Sequence, residues 1–102
     1  MESEYYPILL KKTQQNEIKD LQLQKVFILQ ESFKYKGKTV RAITYKADYF
    51  YVDVKSNKQY VIDIKGVETD VFKLKYKMFI KKYHDIEFLK LKKKGQKWVV
   101  LQ

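Results

Sequence analysis

Apolar and polar positions alternate along three segments of the first two thirds of the chain, as they do in β-strands. Residues 21–30, LQLQKVFILQ, predict a first strand. Residues 39–54 are rich in β-branched and aromatic side chains and predict a long second strand after a turn at Gly37. The polar stretch KSNKQ then forms a hairpin turn into residues 60–66, YVIDIKG, which predicts a third strand antiparallel to the second.

Two other segments have helical spacing. Residues 4–15 predict an amphipathic helix, provided that Pro7 falls in its first turn. Residues 69–83 predict a second helix with Thr69 as its N-cap, in which Val71 and Leu74 join the packed side. Strands at 86–91 and 97–101 complete the order αβββαββ. The fold class expected is α/β (α+β), a single domain over 1–102 with a mixed sheet of about five strands flanked by helices.

The amino-acid composition excludes several classes of protein and site. The 102 residues suffice for one domain with a core, and the absence of cysteine excludes disulfide scaffolds, zinc–thiolate sites and thiol catalysis. No apolar run approaches the ~20 residues that span a bilayer, and the N-terminal residues do not resemble a cleavable signal. We therefore expect a cytoplasmic location and no membrane partner.

The net charge of +10 favours a polyanionic partner such as DNA. It is concentrated in residues 71–102, which contain ten lysines and two acids. Lysine offers a point charge, so contacts with phosphates are expected rather than base readout. The predicted contacts lie on the second helix and near the C-terminus: Lys73, Lys77, Lys81, Lys92, Lys93 and Lys94. The alternative is a solvated, solubilising lysine surface.

The stretch YVIDIKG places Asp63 and Lys65 on the same face of the third strand. Pairing around the KSNKQ turn sets Asp48 opposite Asp63, because the numbers of facing residues sum to about 111. Two facing carboxylates suit a divalent cation, and Mg²⁺ prefers such oxygens together with a carbonyl such as that of Ile64. The alternative is an exposed ion pair of Asp63 with Lys65 on an edge strand.

Asp48, fourteen intervening residues, Asp63-Ile64-Lys65 and the basic helix that follows resemble the signature of PD-(D/E)XK nucleases. The phrases EIKDLQLQ, VRAITYKADY and VIDIKGVETDVFKLKYKMF are similar to a small phage- and prophage-encoded family of nuclease-like proteins related to archaeal-type Holliday junction resolvases. The resemblance covers nearly the whole chain.

This resemblance implies a restriction-endonuclease-like fold and cleavage of DNA phosphodiesters that depends on Mg²⁺ or Mn²⁺. Asp48 and Asp63 would be metal ligands, Lys65 the catalytic lysine, and either Glu2 or Glu4 the supporting acid of the first helix. A resolvase cuts two opposed strands of branched DNA, so a homodimer is implied, in the host cell of a phage or prophage.

The chain departs from the family pattern in three places. Ala47 replaces the proline of the PD half, Lys25 stands where a proline commonly follows the glutamine, and the first-helix acid lies close to Met1. Two alternatives to the nuclease therefore stay open. One is a nucleic-acid-binding module that keeps the fold without catalysis, and the other is a protein-interaction factor whose lysines confer solubility.

Overall fold

The structure, a computed structural model, describes residues 2–65 and 68–101, with the backbone alone at 2 and 3. Within these ranges the chain forms two helices and seven strands. In chain order they are α1 (Glu2–Gln14), β1 (Ile18–Gln30), β2 (Phe33–Tyr35), β3 (Lys38–Val40), β4 (Ile43–Asp53), β5 (Gln59–Ile64), α2 (Asp70–Lys82), β6 (Ile86–Lys94) and β7 (Lys97–Leu101).

Five of these strands form the main sheet, in the order β1-β4-β5-β6-β7. Neighbouring strands are antiparallel except β5 and β6, which are parallel because α2 crosses over between them. The predicted mixed sheet of five strands with two helices is therefore confirmed. The more specific restriction-endonuclease core stays a prediction.

The predicted long strand over 39–54 is wrong in one respect, since the chain leaves the main sheet before residue 43. Residues 38–40 pair instead with residues 33–35 in a separate two-stranded sheet. Lys36 and Gly37 both have positive φ, 51° and 77°, as the tight turn of a two-residue hairpin requires. We call residues 33–41 the hairpin arm. It is exposed along its whole length.

The main sheet has a hydrophobic core on each face, because side chains alternate along its strands. The face toward α2, called the α2 face, buries Phe27, Tyr45, Val61, Phe72 and Phe79 among others. The opposite face, called the α1 face, buries Leu9, Ile18, Tyr49, Tyr51, Ile62 and Leu91. Each core is thus covered by one helix.

Helix α2 begins where the sequence predicts. Thr69 caps it, with its hydroxyl accepting a hydrogen bond from the backbone N–H of Phe72 at 3.1 Å. The packed side of the helix differs from the prediction, since Val71 and Leu74 are 63% and 60% exposed. Phe72 and Phe79 are the buried residues of α2, and this stripe leaves Val71 and Leu74 toward solvent.

The expectation that Pro7 falls in the first turn of the helix is wrong, because α1 begins at Glu2 and Pro7 lies in its second turn. One backbone hydrogen bond of the helix is therefore missing, because proline has no N–H. Across residues 2–65 and 68–101, neither helix has the length and apolar character needed to cross a membrane.

Strand β1 lies at one edge of the main sheet and is not regular. Asp20 and Gln24 have positive φ, 57° and 55°, and the pairing register with β4 shifts between Lys19 and Gln22. These irregularities interrupt the strand at two points along its length.

Candidate active site

The candidate active site lies at the carboxyl end of β5. Strand β5 pairs with β4 so that Tyr49 faces Ile62 and Phe50 faces Val61. The numbers of each pair sum to 111, and the predicted register is confirmed. One further step in this register would set Asp48 opposite Asp63, and that juxtaposition stays a prediction.

Asp63 is held from two sides on the α2 face. Its Oδ1 lies 2.8 Å from Nζ of Lys65, and its Oδ2 accepts a hydrogen bond from the hydroxyl of Tyr45. The side chains of Lys65 and Asp63 are only 13% and 8% exposed. Because β5 is the middle strand of five and the pair is buried, the alternative of an exposed pair on an edge strand is wrong.

Asp48 approaches the same place from β4. Its Oδ2 accepts a hydrogen bond from the backbone N–H of Ile64 at 2.7 Å. Burial raises the pKa of the Tyr45 hydroxyl well above its usual value, and the negative charges of Asp63 and Asp48 add to the shift. Tyr45 therefore stays protonated and donates, and both carboxylates lie within electrostatic reach of its hydroxyl.

The ammonium of Lys65 lies between a carboxylate and an aromatic ring. Nζ is 3.3 Å from the centroid of the Phe72 ring, on the first turn of α2. The backbone N–H of Lys65 donates to the carbonyl of Leu91 at 2.8 Å, which ties the end of β5 to β6. This side chain is thus fixed by a salt bridge and a cation–π contact.

Sequence reasoning missed two charged residues beside this group. Lys90 on β6 faces Asp63 in the parallel register, and its Nζ lies 2.9 Å from Oε1 of Glu68 and 4.2 Å from the Tyr76 ring centroid. The hydrogen bond from Lys90 lowers the pKa of Glu68, and the positive charges of Lys90, Lys73 and Lys65 act in the same direction. The strand–helix–strand order of β5, α2 and β6 was the signal that could have placed Lys90 here.

Tyr45 was also missed, although it contacts Asp63 directly. Its place in the alternating segment ITYKADY is that of an ordinary core residue, and it does pack against Phe72, Phe79 and Phe88. No local feature of the sequence distinguishes a core tyrosine that also holds a carboxylate.

Comparison with known proteins gives one match. The family model described as "Protein of unknown function (DUF1064)" matches residues 1–99. The chain belongs to this family. Neither the curated proteins nor the solved structures contain a match to it. Any function assigned to this DUF1064 chain therefore depends on its own residues.

The donor atoms at the candidate site of this DUF1064 chain are of the type that a hydrated divalent cation uses. Asp48, Asp63 and the carbonyl of Ile64 offer oxygen alone, and Mg²⁺ is commonly held by one or two carboxylates with waters and substrate phosphate. Within the described ranges, no three acidic or histidine side chains form a group that could hold a metal. A cation on Asp63 Oδ1 would have to displace the ammonium of Lys65.

The acids of α1 do not complete such a group in the described part of the chain. Glu4 points its Oε1 to Nζ of Lys93 at 3.2 Å, in an exposed ion pair. The side chain of Glu2 lies outside the described residues. The role of Glu4 or Glu2 as the supporting acid stays a prediction.

The six lysines predicted to contact DNA are all exposed. Lys73, Lys77 and Lys81 lie on the side of α2 turned away from Phe72 and Phe79. Lys93 differs from the other five lysines because it forms an ion pair with Glu4. Its Nζ also lies 5.8 Å from the Trp98 ring centroid. Among the residues that the structure describes, no acid forms an ion pair with the other five, which keeps their charge available.

Proposed function

We propose that the chain is a metal-dependent DNA endonuclease of the PD-(D/E)XK type, acting on branched DNA as Holliday junction resolvases do. The observation that carries the proposal is the pair of buried Asp63 and largely buried Lys65 at the end of the middle strand, with Asp48 bound to the backbone N–H of Ile64 between them. These are the three residues on which the sequence resemblance depends.

The cost of burying this pair supports a functional role. Removing two charges from water costs several kcal/mol per ion, roughly, and apolar side chains of similar volume often serve stability as well or better. The surrounding core of Phe72, Phe79 and Phe88 would accept such side chains. An ion pair kept in that setting is more useful for chemistry than for stability.

Each residue has a distinct task in this proposal. Asp48, Asp63 and the Ile64 carbonyl hold the cation, which when bound supplies activation of water and polarisation of the scissile phosphate. The Lys65 ammonium neutralises charge that develops on the phosphate. The Tyr45 hydroxyl fixes the orientation of the Asp63 carboxylate through its hydrogen bond.

The exposed lysines of α2 and β6 hold the DNA backbone on either side of the cut. Lys73 lies near the site, since its charge acts on Glu68. Two symmetric cuts in a junction need two sites related by a two-fold axis, so the active form in this proposal is a homodimer. The mass of this homodimer in solution can be measured by light scattering. A role in the processing of phage DNA is part of the same proposal.

The test is cleavage of labelled four-way junctions, flaps and linear duplex, with Mg²⁺ or Mn²⁺ and with a chelator. Wild type should cut branched DNA only with metal, and Asp63→Asn should bind but not cut. Asp85→Asn is the matched control, because Asp85 is an exposed acid near the end of α2 whose side chain is 87% exposed. Equal cutting by wild type and Asp63→Asn would refute the proposal.

A second candidate is a DNA-binding module without catalysis. It is favoured by the absence of a third acid in the described group and by the Lys65 ammonium on Asp63 Oδ1. Salt-sensitive binding with no metal-dependent cutting of any substrate would select this candidate.

A further inference from the structure

The hairpin arm carries aromatic and cationic side chains that are exposed and take no part in either hydrophobic core of the main sheet. Phe33 and Tyr35 are 46% and 60% exposed, far more than the aromatic residues of either core. Exposed aromatic rings next to cations are typical of surfaces that bind unpaired nucleotides, where bases stack on the rings and phosphates pair with the charges.

Pairing of the two short strands sorts the arm into two faces. Phe33 faces Val40 and Tyr35 faces Lys38, so the two rings share one face, whereas Lys34 and Thr39 share the other. The positions of Phe33 and Tyr35 are two residues apart, about 6.8 Å along a strand. This is twice the ~3.4 Å spacing of nucleotides along a strand of duplex DNA, which leaves room for one base between the rings.

The charge of the arm has one sign. Lys34, Lys36, Lys38 and Arg41 lie within nine residues that contain no acid, and Arg41 is the only arginine in the chain. No described acid forms an ion pair with any of the four. The Nζ of Lys36 lies 5.3 Å from the Tyr35 ring centroid, so cation and ring can contact the same nucleotide. A second copy of the arm is a poor partner, because its like charges repel.

The arm projects from the end of the sheet at which the candidate site lies. Strand β4 continues past the end of β5 over residues 43–46, and Ile43 pairs with Gln30 at the base of the arm. Ile43 is five residues from Asp48, about 17 Å along a strand. Contacts with the arm therefore begin about 17 Å from the site, within reach of the same DNA strand.

We infer that the hairpin arm binds unpaired nucleotides of a DNA strand, with Phe33 and Tyr35 stacking on bases and Lys36 and Arg41 holding phosphates. This inference rests on the proposed DNA binding of the chain, and it does not depend on cleavage. It adds a stacking contact with unpaired bases, which the single-stranded part of a flap offers and an intact duplex does not.

The test is binding of a labelled single strand and of the matching duplex, followed by fluorescence anisotropy over a series of salt concentrations with chelator present. The double variant Phe33→Ala/Tyr35→Ala should bind the single strand roughly tenfold more weakly or worse, with an unchanged salt dependence. Binding of the duplex should change much less. Val54→Ala is the control, an exposed apolar residue at the opposite end of the sheet.

The cations have a different signature. A plot of log affinity against log salt concentration has a negative slope. Lys36→Ala and Arg41→Ala should each make that slope less steep by about 0.7 for the single strand. Lys55→Ala, an exposed lysine in the turn between β4 and β5, should leave that slope unchanged. These variants should fold, because the arm residues are exposed, and thermal unfolding followed by circular dichroism checks this.

Three results would overturn the inference in distinguishable ways. If wild type binds DNA and the Phe33→Ala/Tyr35→Ala variant binds it with the same affinity, the arm has no role in binding and the proposed function is unaffected. Absence of any DNA binding by wild type would remove both. Arm-dependent sedimentation with phosphatidylserine vesicles, without arm-dependent DNA binding, would assign the arm to a lipid surface instead.

Discussion

Each face of the main sheet packs against one helix, but the two faces bury different kinds of side chain. The α1 face is filled by apolar and tyrosine side chains such as Leu9, Tyr49 and Ile62. The α2 face is equally aromatic but also encloses Asp63 with Lys65 and, at its margin, Lys90 with Glu68. Among the described residues, the α1 face packs without a buried charge, so the buried Asp63 is a feature of the α2 face alone. This difference is the one that the proposed nuclease function predicts, with the reaction on the α2 face and only packing on the α1 face.

The largest expected effect is on DNA cleavage, which a substitution on the α2 face should reduce and one on the α1 face should not. Lys65→Met should lower cleavage about 10²- to 10³-fold, because it removes the charge that in the proposed function neutralises the phosphate. Leu9→Ala should destabilise the protein by about 3 kcal/mol through the cavity that it leaves, yet keep the cleavage rate of the folded fraction. Cleavage assays normalised to folded protein measure both. Loss of activity in both variants would remove the contrast.

The next effect concerns stability on the α2 face. Lys65→Met should cost about 3 kcal/mol, because it leaves a buried carboxylate without its partner. Adding Asp63→Asn removes that charge, so the double variant should recover about 2 kcal/mol. Urea unfolding of both single variants and the double variant measures the coupling. Additive losses would mean that the two side chains do not stabilise each other.

A third prediction uses alkaline pH to compare one tyrosine from each face. Burial raises the pKa of Tyr45 and of Tyr51 in the folded protein, with Asp63 contributing at Tyr45. The unfolded chain ionises near pH 10, so it holds fewer protons than the folded chain above that pH, and stability falls as pH rises. The fall is about 1.4 kcal/mol per pH unit for each such group.

Tyr45→Phe and Tyr51→Phe should therefore each make the alkaline loss of stability less steep by that amount. Only Tyr45→Phe should also alter cleavage, because its hydroxyl holds Asp63. Urea titrations between pH 9 and 11, roughly the range of tyrosine ionisation, test the first point and cleavage at neutral pH tests the second. An equal change in cleavage for both variants would contradict the assignment of Tyr45 as a positioning residue.

The smallest expected effect is that of Glu4→Gln. Glu4 forms an exposed pair with Lys93, and such pairs contribute little. Cleavage should change by less than about twofold, as for a surface pair that takes no part in chemistry. A loss comparable to that of Lys65→Met would return Glu4 to the role of supporting acid that the family resemblance implies.

The sequence predicted those features that depend on neighbouring residues. The N-cap at Thr69, the pairing of β4 with β5 and the shared face of Asp63 and Lys65 follow from turn chemistry and strand alternation, which are local. The burial of that pair was not predicted, because it depends on β5 being the middle strand of the sheet, and local patterns do not specify strand order.

The failures have a common physical cause. The β-rich segment 39–54 contains no signal for the point at which the chain leaves one sheet and joins another, so the hairpin arm was hidden inside a single predicted strand. Lys90 reaches Asp63 only through the crossover of α2, and Glu4 reaches Lys93 across most of the chain. Contacts between distant residues depend on tertiary packing, which outweighs local preference.

The irregular edge strand β1 also bears on how copies of this protein behave at high concentration. A regular strand of 13 residues at a sheet edge would offer a row of unpaired backbone groups to any passing strand. The left-handed residues Asp20 and Gln24 break that row, and the nearby lysines 19 and 25 place positive charge along it. Fibre growth by strand addition is thereby discouraged at the open side of the sheet.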